Sequence, residues 1–161
     1  GAAIGDIKNQ KDEILENGSK VYYGDTIVVS EKSNAQVLFL DQTVITIGEK
    51  SELTIDEFVY DPETNDGKFV SNIKSGTIKI ITGEISKKDP DNLEIKIPTG
   101  TIGARGTEFV VLTESNNEST VVLLGPGPNN SLGMIPGNLE VSDGFNSIDI
   151  TQPGFQTVVT N

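Results

Sequence analysis

The stretch Leu93-Glu94-Ile95-Lys96-Ile97 alternates apolar and charged side chains without exception. A period of two predicts a β-strand with one buried and one exposed face. A second stretch, Ala35-Gln36-Val37-Leu38-Phe39-Leu40, is apolar on both faces. Because only a strand that is covered on both sides buries two apolar faces, this second run is predicted to be a central strand.

Similar β-branched runs recur about every ten residues, which is the spacing of an all-β domain. The predicted strands are Lys20–Tyr23, Thr26–Ser30, Ala35–Leu40, Val44–Ile47, Glu52–Tyr60, Lys68–Ile73, Thr77–Ile81, Leu93–Ile97, Glu108–Thr113, Ser119–Leu124, Asn138–Val141, Ser147–Thr151 and Gln156–Val159. Turn residues such as Ser75-Gly76 and Asp143-Gly144 fall between these runs. We therefore predict one all-β domain over residues 1–161, a compact roll or short β-solenoid-like arrangement, with a β-sandwich as the alternative.

Two segments differ from this pattern. Asp6–Glu16 carries a weak helical period, but it lacks a continuous apolar stripe and its surroundings are β. Gly125–Gly137 is rich in proline and glycine, which predicts a long surface loop ahead of the C-terminal strands.

The composition excludes several function classes. The chain has no cysteine and no histidine, which removes disulfides, thiolate metal sites, cysteine nucleophiles and imidazole-dependent triads. A formal net charge of -12 repels phosphate backbones, so no nucleic-acid partner is expected. No apolar run is long enough to span a bilayer, and no base and nucleophile pair points to an enzyme. No cofactor is predicted.

Arg105 is the only arginine, and glycines lie close to it on both sides in the chain. A guanidinium presents a planar fork of donors that binds a carboxylate through two parallel hydrogen bonds. We predict a structural ion pair from Arg105 to Glu57 or Asp56, with Gly103 and Gly106 allowing the close approach. The alternatives are an exposed ligand clamp and a plain solvated charge.

The two acids lie within the predicted strand Glu52–Tyr60. Strict alternation places Leu53, Ile55, Glu57 and Val59 on one face and Thr54, Asp56, Phe58 and Tyr60 on the other. Each face then carries one carboxylate among apolar side chains. Burial of an ionised carboxylate costs several kcal/mol unless it is paired, which is why Arg105 is assigned to this strand.

A weaker constellation consists of Asp61, Glu63, Asn65 and Asp66. Oxygen ligands at alternating positions can bind Ca²⁺, but the following glycine falls one place later than an EF-hand loop requires. A polar hairpin turn is the simpler interpretation, and the same holds for Asp89-Pro90-Asp91-Asn92. The aromatic residues that could form contact surfaces, if exposed, are Tyr22, Tyr23, Phe58, Tyr60 and Phe145.

Several blocks, in one order, resemble the FecR domain of bacterial envelope proteins. They are Gly24-Asp25-Thr26-Ile27, Ala35 to Thr43, Ile47 to Leu53, Asp56-Glu57-Phe58-Val59-Tyr60-Asp61-Pro62, Gly76-Thr77-Ile78, Gly83 to Lys87, and Ile97 to Phe109. The resemblance extends from about Gly18 to Leu124, with residues 125–161 as a looser tail.

This resemblance implies an extracytoplasmic all-β module, periplasmic or at the bacterial cell surface, that binds a protein partner of the cell envelope. Our main expectation is a non-catalytic interaction or scaffold module. One alternative is a periplasmic sensor that relays a signal to a membrane or sigma-factor regulatory partner. Another is a calcium- or glycan-binding adhesin module.

Overall fold

The protein was analysed as a computed structural model, which describes residues 1–115 and 117–160. Its strands are β1 (Ala2–Ile4), β2 (Ile7–Asn9), β3 (Thr26–Val29), β4 (Asn34–Leu38), β5 (Val44–Ile47), β6 (Ser51–Tyr60), β7 (Gly67–Ile81), β8 (Leu93–Ile97), β9 (Gly100–Arg105), β10 (Glu108–Ser115), β11 (Glu118–Gly125), β12 (Asn138–Ser142), β13 (Ser147–Ile150) and β14 (Gln156–Thr160). One short helix, α1 (Glu84–Lys88), and a 3₁₀ turn (Pro90–Asn92) lie between β7 and β8.

Strand β7 belongs to two sheets. Its first half pairs with β6 and β8, and its second half pairs with β5 and β10. One sheet has the order β2-β3-β6-β7-β8-β9-β12-β13, and the other has the order β1-β4-β5-β7-β10-β11-β14. Across the described residues, the two sheets share β7 and form one open sheet that changes direction there. The predicted all-β class is confirmed.

The change of direction within β7 has a local cause. Leu53 pairs with Ile73 and Glu52 pairs with Ser75, so Lys74 is an extra residue in the ladder. Next to it, Gly76 has a φ of 95°, a conformation that favours glycine. As a consequence the buried side chains change from odd positions (Phe69, Ser71, Ile73) to even positions (Ile78, Ile80).

Both sheets contribute their buried faces to a single apolar core. The alternation predicted for Leu93–Ile97 is present, with Leu93, Ile95 and Ile97 buried and the charged residues between them half-buried. Because β7 and β8 run parallel, the chain must cross over between them, and α1 with the 3₁₀ turn makes that connection.

Several predicted boundaries were wrong. Lys20–Tyr23 is an irregular segment, and Lys68–Ile73 and Thr77–Ile81 are halves of one strand, because Ser75-Gly76 marks a bend instead of a turn. Ala35–Leu40 is not central, since its strand β4 lies next to the three-residue edge strand β1. Asp6–Glu16, where the incomplete apolar stripe argued against a helix, contains β2 and turns. The strands β1, β2 and β9 were not predicted.

The faces predicted for Glu52–Tyr60 are correct only up to Ile55. Ile55 pairs with Ser71 and Glu57 pairs with Val70, so Asp56 bulges and inverts the alternation. Phe58 and Tyr60 therefore pack against the core, while Val59 is exposed. Within the described residues, no helix has the length and apolar character needed to cross a membrane.

Candidate functional site

A cavity of about 560 Å³ opens between β4 and the irregular segment that precedes β3. Its lining is mainly apolar, and Glu16 and Lys20 are its charged residues. This volume lies in the range of pockets that bind ligands or anchor side chains of a partner. We call this site the β4 groove; its lining also includes Ala3, Ile7, Leu15, Val21, Ile27, Ala35, Gln36, Val37 and Ile55.

Aromatic rings form the floor of the β4 groove. Phe39 and Phe58 line it, with ring centroids 5.1 Å apart in a tilted arrangement. Phe69 lies behind them, fully buried, at 4.7 Å from Phe39 and 5.7 Å from Phe58. The bulge at Asp56 is what turns Phe58 inward, so the irregularity of β6 builds this floor.

One wall is a tight turn that presents two tyrosines. The backbone N–H of Tyr22 donates to Oδ2 of Asp25 at 2.8 Å, and the N–H of Asp25 donates back to the carbonyl of Tyr22 at 3.1 Å. Ile55 of β6 holds the turn from below through bonds with Gly24 and Asp25. Tyr22 and Tyr23 are therefore fixed by their backbone while their side chains stay exposed at 62% and 73%.

The opposite wall is the end of β4 together with the start of the turn that follows it. Val37 and Phe39 point into the core, whereas Leu38 and Leu40 point outward and are exposed at 63% and 81%. Leu38 and Leu40 adjoin the cavity, as Tyr22 and Tyr23 do on the other side, and exposed apolar patches mark interaction sites. The groove is therefore bordered by apolar side chains on both sides.

The N-terminal segment is held against this site by hydrogen bonds. The N–H of Ala3 donates to Oδ1 of Asn17 at 2.7 Å, and the N–H of Leu15 donates to the carbonyl of Ile7 at 2.9 Å. These bonds fix the wall without filling the cavity. No pattern in the sequence predicts this arrangement, because the contacts join an irregular segment to strands of three residues.

In the structure, Arg105 does not pair with Glu57 or Asp56, the two acids predicted as its partners. Glu57 pairs with Lys68 at 3.1 Å and Asp56 lies 3.9 Å from Lys96. Arg105 is exposed at the end of β9 and forms no ion pair with the residues that the structure describes. Strands β7 and β8 separate β9 from β6, which places the two backbones about 14 Å apart at ordinary strand spacing.

The roles predicted for the two glycines also change. A β-carbon on Gly103 would meet only the carbonyl oxygen of Leu93 at 4.0 Å, and one on Gly106 would meet nothing within 4 Å. Gly106 is suited to its place because its φ is 55°. The residue that ties this loop down is Thr107, whose N–H binds Oγ1 of Thr82 at 2.9 Å.

The residues considered for Ca²⁺ form a hairpin turn. Asp61 accepts from the N–H of Glu63, Asn65 accepts from the hydroxyl of Tyr60, and Asp66 pairs with Lys88 at 2.7 Å. The bond from Lys88 holds the pKa of Asp66 below its ordinary value. In the described parts of the chain no group of three or more carboxylates is placed to hold a metal ion.

The five predicted contact aromatics divide into two groups. Tyr22, Tyr23 and Phe145 are exposed. Phe58 and Tyr60 are half-buried against the core. Desolvation, followed by the nearby charges of Glu84, Asp41 and Asp61, raises the pKa of Tyr60. Of these five, Tyr22, Tyr23 and Phe58 line the β4 groove.

Comparison with known proteins identifies the family and the fold. No curated protein matches the chain. Two crystal structures of a proposed anti-sigma factor from Parabacteroides distasonis are similar in fold, with a TM-score of 0.59 and identities of 15% and 14%. The match covers 84% of this chain and 55% of each solved chain, so this chain spans about half of their length. Residues 25–125 match the family described as FecR protein, and because this match covers more than half of its length, the chain belongs to the FecR family.

Proposed function

We propose that this protein is a non-catalytic regulatory domain of the bacterial envelope that binds a partner protein at the β4 groove and relays the binding as a signal. The observation that carries the proposal is the groove itself: an apolar cavity with an aromatic floor, and tyrosines fixed on its rim. Rigid aromatic side chains beside a pocket are the features that anchor protein interfaces.

The comparisons favour the relay over the scaffold. The FecR match covers the floor and the β4 wall of the groove. The solved structures of similar fold are described as a proposed anti-sigma factor. A periplasmic or cell-surface location and a membrane or sigma-factor regulatory partner are therefore part of the proposal.

The test uses the bacterium that encodes the chain. Tyr22 and Tyr23 are both replaced by serine in the chromosomal gene, and transcript levels are compared with wild type and with a deletion of the coding region for residues 1–161. We expect the double variant to reproduce the transcriptional response of the deletion. Phe145→Ser is the matched control, because Phe145 is an aromatic residue exposed at 96% that does not line the groove.

Two outcomes contradict the proposal. If the deletion leaves the transcriptome unchanged, the domain relays no signal to transcription, and the scaffold interpretation replaces it. If the deletion changes transcripts but the tyrosine variant behaves like Phe145→Ser, the relay does not depend on the groove.

A further inference from the structure

The sheet formed by β5, the second half of β7, β10, β11 and β14 has an aliphatic outer surface. Its inner side chains, such as Ile80 and Phe109, are fully buried in the core. The positions between them point to the other side, and residues directly opposite each other in a ladder share a face. The aliphatic side chains that this register places on the outer surface are Val44, Ile81, Val110, Leu112, Val122 and Val158. We call this surface the aliphatic face.

The outer surface of the other sheet is different, because it carries charged side chains. Glu94, Glu140 and Asp149 lie in one row across β8, β12 and β13. Polar side chains are what an antiparallel sheet ordinarily presents to water. On the aliphatic face, by contrast, Ile81 and Val158 are exposed at 40% and 48%. Exposed apolar patches mark interaction sites, so the aliphatic face is a candidate for one.

Two opposite charges lie in the middle of the aliphatic face. Lys79 on β7 and Glu108 on the neighbouring strand β10 form an ion pair, and they are the charged residues in the rows that hold the aliphatic side chains. The pair leaves the face neutral in a domain with a net charge of -12. A basic partner would be attracted to the acids elsewhere on the domain, whereas a second copy meets the least repulsion here.

The charge pattern of the face is also self-complementary. Sheets that pack face to face keep their strands roughly aligned and lie about 10 Å apart. A two-fold axis between β7 and β10, in the plane of such an interface, places β7 of each copy over β10 of the other. Lys79 of one copy then comes within reach of Glu108 of the second copy, and the four charges alternate in sign.

The size of the face sets the strength of the contact. With strands about 4.8 Å apart and rows of side chains about 6.8 Å apart, the face measures roughly 24 Å by 20 Å. A dimer would bury roughly 1,000 Å² in total, which is the lower limit for a specific interface. The association is therefore weak and depends on the concentration of the chain.

We propose that the aliphatic face binds a second copy of this chain, in a dimer with two-fold symmetry that pairs Lys79 with Glu108 across the interface. A two-fold contact uses the same patch on both copies, so the assembly stops at two. This surface is separate from the one assigned to the partner protein, because none of its aliphatic residues lines the β4 groove.

The first test is sedimentation equilibrium of the whole chain. We expect a monomer–dimer equilibrium with a dissociation constant of about 10–500 µM. Ile81→Lys should weaken the dimer by about tenfold or more, because it places a charge on the aliphatic face. Ile148→Lys is the matched control: Ile148 is exposed at 52% on β13 of the other sheet, and the variant should associate within about threefold of wild type. Val158→Lys replaces Ile81→Lys if that variant does not fold.

The second test reverses one charge at a time. Lys79→Glu gives each face two negative charges and Glu108→Lys gives it two positive charges, so each variant alone should dimerise at least about tenfold more weakly than wild type. An equimolar mixture of the two variants should recover the wild-type dissociation constant within about threefold, because opposite charges then meet across the interface.

Several outcomes would overturn the proposal. They are a chain that stays monomeric at about 1 mM, equal dimerisation by the aliphatic-face variant and Ile148→Lys, and assemblies larger than a dimer. A mixture of the charge variants that associates no better than its components would overturn the two-fold pairing. The double replacement of Tyr22 and Tyr23 by serine should leave the dimer intact, and its loss in that variant would place the contact at the β4 groove instead.

Discussion

The N–H of Gly83 donates to Oγ1 of Thr43 at 3.0 Å, in a buried hydrogen bond between residues that are forty positions apart. The same hydroxyl donates to Oδ2 of Asp41 at 2.8 Å, and the N–H of Thr43 donates to Oδ1 at 3.0 Å. Asp41 is fully buried. Thr43 thus satisfies a buried carboxylate and fixes the start of α1 at once.

Thr43→Val keeps the shape of the side chain but removes this hydroxyl. A buried N–H and one oxygen of a buried carboxylate then lose their partner, so we expect a loss of about 2–3 kcal/mol in the free energy of unfolding. Urea denaturation measures it. Thr46→Val, on the following strand, is the control and should change stability by less than about 0.5 kcal/mol. Equal denaturation midpoints for both variants would show that the network contributes nothing to stability.

The bend of β7 gives a second prediction. A β-carbon on Gly76 would lie 2.0 Å from Oγ and 2.5 Å from Cα of Ser51, and the φ of 95° disfavours any L side chain. Gly76→Ala should therefore destabilise the domain by more than about 2 kcal/mol. Gly103→Ala, whose nearest atom would be 4.0 Å away, should be neutral or slightly stabilising. Thermal unfolding of the two variants tests this, and a similar melting temperature for both would contradict it.

The pattern of alternating side chains was sufficient to predict most strands. Leu93–Ile97 and Val44–Ile47 have the predicted bounds, because their burial alternates along the whole strand. Where an extra residue enters a ladder, the alternation inverts, and neither Asp56 nor Lys74 differs chemically from an ordinary exposed residue. The bulges, and with them the inward position of Phe58, could not be predicted from the pattern.

The site was predicted less well, for a related reason. Tyr22 and Tyr23 were named as candidates for a contact surface and are exposed, but the groove beside them is built by the irregular segment and by β1, which have no periodic signal. The ion pair was assigned to Arg105 because it is the only arginine in the chain. Lysines close in space satisfy both acids instead, and sequence separation does not reveal which strands are neighbours.

The loop around Arg105 allows a direct comparison of two residues. Arg105 is exposed and forms no ion pair among the described residues, so Arg105→Lys should change stability by less than about 0.5 kcal/mol. Thr107 is buried, and its Oγ1 donates to the carbonyl of Gly125 at 3.0 Å, so Thr107→Val should cost about 1–2 kcal/mol. Guanidinium denaturation compares them. A clear loss for Arg105→Lys would restore the ion-pair hypothesis that the structure does not support.

The turn between β12 and β13 predicts a pH dependence. The carboxylate of Asp143 accepts from the N–H of Phe145 at 2.8 Å and of Asn146 at 2.6 Å, and these bonds, that of Asn146 first, lower the pKa of Asp143. A carboxyl whose pKa is lower in the folded state stabilises the fold above its unfolded pKa of 3.8, and this contribution disappears as the pH falls through the folded value.

Asp143→Asn is nearly isosteric and carries no charge, so it separates the charge from the turn geometry. We expect the variant to be less stable than wild type at neutral pH, and the difference to be smaller at an acidic pH below the unfolded pKa of 3.8, where protonation of Asp143 begins to remove the contribution of its charge. Urea denaturation at the two pH values measures the difference. The attribution to Asp143 fails if the difference is the same at both, because a structural effect of the substitution would not titrate.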